Sequence, residues 1–134
     1  MKDCIFCKIS DKKSPVRIVY EDKEILAFFP LEQISRGHTL IIPKKHYENI
    51  YDIDEKSLEK IISVAKKIAS SMKKSLGAKG INILHASGKD ADQSIFHFHI
   101  HIIPRYNKDG LNTWPKSNYK ENNVQKIHKK LKIE

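Results

Sequence analysis

The chain has 134 residues and a formal net charge of +9, with 40% hydrophobic and 31% charged residues. This length and balance exclude a disordered chain and predict one folded domain, residues 1–134, with its own apolar core. No apolar run approaches the ~20 residues that span a bilayer, and the first residues lack the apolar segment of a signal peptide. We therefore expect a cytoplasmic protein with no membrane partner.

The positive charge is concentrated in a basic C-terminal tail, residues 106–134. From residue 105 to the end the net charge is +5. Basic surfaces attract nucleic acids. These lysines, however, surround the apolar positions of a helix predicted from about Asn123 to Leu131 and accompany no aromatic platform for bases. Nucleic acid is therefore not expected as the main partner.

Cys4 and Cys7 lie three residues apart and are the two cysteines of the chain. Such a pair can ligate a metal, undergo redox chemistry or be a structural coincidence. Redox pairs normally follow a strand and open a helix, and no strand is predicted before Cys4. A metal site is therefore favoured, and residues 1–15 are interpreted as an N-terminal segment associated with it.

Short apolar runs bounded by charged residues and prolines predict β-strands. Four such runs occur, at residues 16–20, 24–29, 38–43 and 80–85. The first two flank a charged turn, which is typical of an antiparallel hairpin, and Pro30 ends the second. His38 and His46 bracket the third strand.

A long amphipathic helix is predicted between the third and fourth strands, because apolar residues recur there at three- and four-residue steps up to Leu76. Asp54 suits its N-cap and Gly77 its C-terminal end. We expect its apolar face to cover the sheet. The fourth strand leads into a polar loop, residues 86–94, whose N–H groups and Ser94 could hold an anion.

Residues 96–104 alternate three histidines with large apolar residues and end at Pro104. A strand has a side-chain period of two, so His97, His99 and His101 are predicted to share one face. An exposed polar face without a chemical role would not need three histidines, since other polar residues would serve it equally well. A metal site and nucleophilic catalysis, in which a neutral imidazole attacks phosphorus, both remain open at this point.

Residues 97–103, together with residues 37–46, closely resemble the histidine triad (HIT) family of nucleotide hydrolases and transferases. The resemblance extends from about Cys4 to Arg105 and is greatest to the small nucleoside phosphoramidase-like, zinc-containing bacterial members. It implies an α+β, HIT-like fold with a five-stranded antiparallel sheet and one long and one or two short helices. It also implies a homodimer whose sheets join.

The resemblance implies attack on the α-phosphate of a nucleoside phosphoramidate or a related purine nucleotide conjugate, such as a dinucleoside polyphosphate. A nucleotidyl-histidine intermediate would form and release AMP or GMP. By position, His99 is the nucleophile, His101 contacts the phosphate and leaving group, and His38 supports the active imidazole. Ser94 and the backbone around Asp92 match phosphate-binding positions. No catalytic metal is implied, since a protonated neighbouring histidine and N–H donors can stabilise the charge.

The resemblance also gives the cysteines partners, in the form of a structural zinc site. The implied ligands are Cys4, Cys7, His46 and His97. Two thiolates and two imidazoles form a closed tetrahedral set. The alternative is two free thiols in a reducing cytoplasm.

Two positions depart from the family pattern. Pro30 stands where members usually carry an Asp that holds the ribose hydroxyls, and Ala86 stands where they usually carry an Asn near the phosphate. Glu32 and Asn82 are candidate substitutes. These departures motivate an alternative function, a nucleotide-binding or scaffolding dimer with weak or no catalysis.

A third function, nucleotidyl transfer to a sugar phosphate, resembles the uridylyltransferase branch. That branch carries Pro where this chain has Phe98, so the transfer function is disfavoured. Contacts to the leaving group come from loops and the tail in this kind of site. The motifs therefore leave the substrate, its base and the role of the basic tail open.

Overall fold

The computed structural model describes residues 3–133, which form one five-stranded antiparallel sheet and three α-helices. In chain order the elements are α1 (Ile5–Ser10), β1 (Ile18–Glu21), β2 (Ile25–Phe28), β3 (Thr39–Pro43), α2 (Glu55–Leu76), β4 (Gly80–His85), β5 (Ile100–Arg105) and α3 (Val124–Leu131). The order of strands across the sheet is β1-β2-β3-β5-β4. The predicted α+β fold, with one long and two short helices, is confirmed.

The long helix α2 has the predicted ends. It starts directly after Asp54 and stops before Gly77, which has a left-handed backbone with φ 69° that favours glycine. The N–H of Gly77 donates to the carbonyl of Met72 and so completes the last turn. The predicted tail helix is also confirmed, with the Asn123 side chain accepting a hydrogen bond from the N–H of Lys126 at its start.

Helix α1 was not predicted by the sequence pattern. Its six residues begin after Cys4, whose Sγ accepts a hydrogen bond from the N–H of Cys7 at 3.4 Å. Phe6 and Ile9 are the buried residues of the helix. Within a six-residue segment these two apolar positions are too few to reveal a helical period.

Both faces of the sheet are covered. Helix α2 packs on one face through residues that include Ile61, Ala65 and Ile68, and β5 contributes Ile100 and Ile102 to the same cluster. On the other face, α1 packs against β2 and β3. The cluster there consists of Phe6, Ile9, Leu26, Phe28, Leu40 and Ile42. Strands β2 and β3 are buried along their whole length because they lie between these two layers.

The histidine-rich strand starts later than predicted. Both ladders that hold β5 end at Ile100, which pairs with Ile41 of β3 and with His85 of β4. The preceding segment follows a bent path, and the N–H of Phe98 donates to the carbonyl of Tyr47 at 2.6 Å. The prediction of a strand from residue 96 is therefore wrong, because these residues are bonded outside the sheet. His97 and His99 precede β5 instead of belonging to it.

The tail is anchored to the sheet where β5 ends. The guanidinium of Arg105 donates two hydrogen bonds to the carboxylate of Asp109, at 2.8 and 2.9 Å, and a third to the Asn82 side chain at 2.8 Å. Farther along, α3 exposes Val124 and Leu131. Among residues 3–133, no helix combines the length and the apolar character needed to cross a bilayer.

Candidate active site and metal centre

His99 lies directly before β5 and is 7% exposed. Its Nδ1 atom is 2.8 Å from the carbonyl oxygen of His97. A carbonyl can only accept a hydrogen bond, so this partner assigns the proton to Nδ1 and leaves the unshared electron pair on Nε2. An imidazole held in this tautomer can act as a nucleophile through Nε2.

His101 is the neighbour of His99 in the site, with ring centroids 5.2 Å apart. The Nδ1 atom of His101 lies 2.9 Å from Nε2 of His38, and Nδ1 of His38 accepts a hydrogen bond from the N–H of Ile34 at 3.4 Å. Because Nδ1 of His38 accepts, its Nε2 carries the proton and donates to His101. His101 is thereby left with a proton on Nε2. The site therefore presents a lone pair on Nε2 of His99 and an N–H on Nε2 of His101.

These imidazoles are neutral in the ligand-free protein at pH 7. Burial, followed by the neighbouring charges of His99 and His38, lowers the pKa of His101 to about 4. Burial likewise lowers the pKa of His99 and of His38. His101 is therefore a neutral hydrogen-bond donor in the ligand-free protein.

Phe6 of α1 contacts both the nucleophile candidate and the metal-ligand candidate. Its ring meets the ring of His99 edge-on at 5.1 Å and the ring of His97 at 5.8 Å between centroids. It also packs edge-on against Phe28 of β2 at 5.6 Å. His97 and His99 thus both lie on the α1 side of the sheet. This agrees with the prediction that they share one face, although neither residue belongs to β5.

The four predicted metal ligands come together. The ligand atoms of Cys4, Cys7, His46 and His97 all lie within 4.8 Å of one another. The Nδ1 atoms of His46 and His97 are 3.2 Å apart, and Sγ of Cys7 lies 3.4 Å from the first and 3.6 Å from the second. Tetrahedral zinc with ordinary bond lengths separates its ligand atoms by about 3.4–3.8 Å. The donor set and its spacing fit a closed zinc site.

The orientation of His97 also fits a metal ligand. Its Nε2–H donates to the carbonyl of Pro43 at 2.7 Å, so its Nδ1 carries a lone pair directed at the cysteines. Burial lowers the pKa of His97 to about 4, so this nitrogen is unprotonated at neutral pH. The cluster comprises three half-buried residues and the buried His97, and ligand atoms this close to one another require protons or a cation between them.

The two phosphate-binding candidates occupy the loop before β5. Asp92 is exposed and has a left-handed backbone with φ 64°, and its N–H donates to the carbonyl of Lys89 at 3.0 Å. Ser94 is exposed and lines a depression of about 690 Å³ together with Cys4 and His46. Ser94 thus lies beside the metal-ligand cluster, and both assignments stay predictions.

Pro30, one of the two departures from the family pattern, and Asn82, a candidate substitute for the missing polar groups, have different surroundings. Pro30 lines a surface depression of about 630 Å³ together with Val16 and Phe29. The Asn82 side-chain oxygen accepts hydrogen bonds from Arg105 at 2.8 Å and from Thr113 at 3.1 Å. Asn82 therefore serves to anchor the tail and does not replace the missing polar group.

Sequence reasoning missed two residues that contact the site, Phe6 and His85. Phe6 belongs to a helix too short for its pattern to be recognised. His85 was interpreted as the last residue of a strand, yet its Nδ1 lies 2.8 Å from the carbonyl oxygen of His99. The sequence around a histidine at a strand end does not reveal its hydrogen-bond partner, because that partner depends on which strand lies beside it.

The fold and the site define a small α+β protein with an imidazole-based site beside a Cys/His cluster. A family model described as HIT domain matches residues 11–108. The chain is 41% identical over 130 residues to Protein hit of Bacillus subtilis, covering 94% of this chain and 90% of that protein. The chain belongs to the HIT family.

Two relatives carry names that state an activity. The adenosine 5'-monophosphoramidase HNT1 of Saccharomyces cerevisiae is 37% identical over 130 residues, covering 96% of this chain and 80% of that protein. The adenylylsulfatase HINT3 of Arabidopsis thaliana is 39% identical over 109 residues, covering 81% of this chain and 55% of that protein. The family thus includes hydrolases of nucleotide conjugates.

Solved structures show the same fold. A HIT family member from Bacillus subtilis superposes with a TM-score of 0.86 at 40% identity, covering 96% of this chain and 94% of that one. A zinc-bound histidine triad protein from Mycobacterium smegmatis has a TM-score of 0.80 at 36% identity, covering 83% of this chain and 81% of that one. The Cys/His cluster of this chain is compatible with zinc binding.

Proposed function

We propose that this protein hydrolyses nucleoside phosphoramidates or related purine nucleotide conjugates, with His99 as the nucleophile and a nucleoside monophosphate, AMP or GMP, as the product. The observation that carries the proposal is the 2.8 Å bond from His99 Nδ1–H to the carbonyl of His97, which leaves Nε2 unprotonated. Membership of the HIT family and the named activities of two relatives support the same class of reaction.

The first chemical step is attack of the His99 Nε2 lone pair on the α-phosphorus. The new N–P bond forms as the bond from phosphorus to the leaving nitrogen breaks, and that nitrogen takes one proton from water. The imidazole ring of the adduct is cationic, and its Nδ1–H still donates to the carbonyl of His97, which stabilises the positive charge.

The second step is attack of water on the same phosphorus. The N–P bond breaks, the monophosphate leaves, one proton returns to solvent and His99 is restored. In both steps the Nε2–H of His101 is oriented by His38 and donates a hydrogen bond to a phosphoryl oxygen. Ser94 and the backbone around Asp92 are proposed as further phosphate contacts.

A structural zinc ion held by Cys4, Cys7, His46 and His97 completes the proposal. The ion would tie α1 to the segment that carries His97, and no chemical step needs it. The close approach of the four ligand atoms supports this assignment.

We also propose a homodimer whose sheets join at β4. This strand lies at the end of the sheet next to β5, and Ile83 on it is exposed. An unpaired strand edge is a template for pairing with a second copy. Light scattering coupled to size exclusion tests it: wild type is expected to be dimeric, and Ile83→Lys is expected to shift the population towards monomer.

The alternative function is a nucleotide-binding or scaffolding dimer with little catalysis. Pro30 and Ala86 favour it, because neither side chain can hydrogen-bond a ribose hydroxyl or a phosphate. It predicts measurable binding of AMP or GMP by calorimetry with negligible turnover of amidates and dinucleoside polyphosphates.

Turnover of a fluorogenic adenosine phosphoramidate decides between these functions. Wild type is expected to release AMP, and His99→Ala is expected to abolish release while remaining folded, with a lower unfolding temperature because a buried ring is removed. The matched control is His128→Ala on exposed α3, which should turn over like wild type. Equal activity of wild type and His99→Ala would refute the nucleophile assignment.

A further inference from the structure

We infer that His85 is a positioning residue for His99, and that Ser87 holds His85 in the tautomer with its proton on Nδ1. The inference rests on the proposed nucleophilic role of His99. It concerns residues of β4 and the loop after it, which provide neither the nucleophile nor a metal ligand.

The first observation is that His99 lies just outside the sheet. Both ladders of β5 end at Ile100, so the backbone of His99 lacks a strand partner on either side. Its carbonyl oxygen instead lies 2.8 Å from Nδ1 of His85. A carbonyl only accepts, so His85 donates from Nδ1. The side chain of His85 thereby extends the β4 ladder by one hydrogen bond.

The second observation is a chain of hydrogen bonds behind His85. An imidazole with its single proton on Nδ1 accepts at Nε2, and the Ser87 hydroxyl lies within hydrogen-bond distance of Nε2 of His85. The same Ser87 oxygen accepts the N–H of Ile50 at 2.9 Å. With Nδ1 donating to the His99 carbonyl, an unprotonated Nε2 of His85 needs a donor, and the Ser87 hydroxyl can supply its proton there while its oxygen accepts from Ile50.

The third observation is a stacking contact that fixes the ring plane. The His85 ring lies over the ring of Phe98 with centroids 4.5 Å apart and an interplanar angle of 27°. Phe98 is buried on the α2 side and precedes His99 in the chain. His85 thus contacts both residues of this short segment, one through its ring face and the other through its Nδ1–H.

Together these contacts fix the peptide that follows the nucleophile. The bond to His97 orients the His99 ring, and the bond from His85 holds the His99 backbone from which that ring projects. Displacement of a reacting group by about 1 Å can cost on the order of 100-fold in rate. A partial loss of this support is expected to lower kcat by about 10-fold.

Two substitutions at position 85 separate the hydrogen bond from packing. His85→Phe keeps a ring to stack on Phe98 and removes the donor, whereas His85→Gln keeps a side-chain N–H donor. We expect His85→Phe to lower kcat for the adenosine phosphoramidate by about 10-fold with KM within about twofold. His85→Gln should restore most of kcat, and Ser87→Ala should fall between them. His128→Phe is the control.

Nitrogen-15 NMR of the imidazole rings in the ligand-free protein provides a readout that does not depend on turnover. Wild type should show His99 with its proton on Nδ1, and His85→Phe should populate the other tautomer. An unchanged His99 spectrum in His85→Phe, or a loss of kcat in His85→Gln as large as in His85→Phe, overturns the inference. If wild type turns over no amidate, the proposed function fails, and the spectra alone decide the inference.

Discussion

The rings of His38 and His101 are joined by a 2.9 Å contact from Nε2 to Nδ1 and stack at an interplanar angle of 27°. His38 in turn accepts the N–H of Ile34. The direction of these bonds assigns the free proton of His101 to Nε2. The two imidazoles therefore work as one donor chain that begins at a backbone amide.

Removing the donor of this chain should impair catalysis without unfolding the protein. His38→Phe keeps an aromatic ring beside His101 but no longer donates to its Nδ1. His101 can then adopt either tautomer, so the expected result is a decrease in kcat of about 10-fold with a small change in KM. Steady-state kinetics on the adenosine phosphoramidate measure it. Unchanged kcat would show that His101 needs no orienting partner.

The sequence predicted much of this arrangement because hydrophobic periodicity and capping residues reflect local geometry. Helix α2 ends at the glycine identified as its terminator, and β4 occupies the residues assigned to it. The family resemblance implied that His38 supports the active imidazole, whereas in the structure the ring of His38 contacts His101. The two residues lie 63 positions apart, and no local pattern encodes a contact across two strands.

The start of β5 could not be predicted, because the alternation of polar and apolar residues shows which way side chains point. It does not show which backbone groups are hydrogen-bonded to a neighbouring strand. His97 and His99 alternate with apolar residues as in a strand, yet the amide of Phe98 bonds to Tyr47 outside the sheet. Helix α1 and the role of His85 also depend on contacts with distant segments. The residues proposed to act chemically were therefore named from the motifs and the resemblance, whereas Phe6 and His85, which contact His99, were not.

Phe6 should contribute strongly to stability because it is 3% exposed and contacts His97, His99 and Phe28. Phe6→Ala is expected to lower the free energy of unfolding by about 3–5 kcal/mol. Phe96 provides the matched control, since its side chain is 45% exposed and the same truncation should cost less than about 1 kcal/mol. Urea unfolding measures both. Equal losses would contradict the packing described for α1.

The Cys/His cluster should bind about one zinc ion per chain. Cys7→Ser removes one ligand, so the variant is expected to lose the ion during dialysis and to unfold at a lower temperature. Lys8→Ala, on the same helix but outside the cluster, should keep both the ion and the unfolding temperature. Elemental analysis and calorimetry measure the two quantities. A metal-free wild type from zinc-replete medium would refute the site.

The depressed pKa of His101 should make the fold sensitive to mild acid. Its pKa is about 4 in the folded protein, against an ordinary value of 6.5, because of burial and of its neighbours His99 and His38. The unfolded chain binds more protons between these values. Stability is therefore fully present above about pH 6.5 and falls as the pH drops towards 4.

His101→Gln tests this dependence because it removes the titrating group and leaves the four predicted metal ligands in place. Metal loss in acid should then affect wild type and variant alike. The expected result is a shallower decrease in the free energy of unfolding for His101→Gln between pH 6.5 and pH 4.5, measured by urea unfolding. Parallel curves would show that folding does not lower the pKa of His101. The assignment of His101 as a neutral donor would then be incorrect.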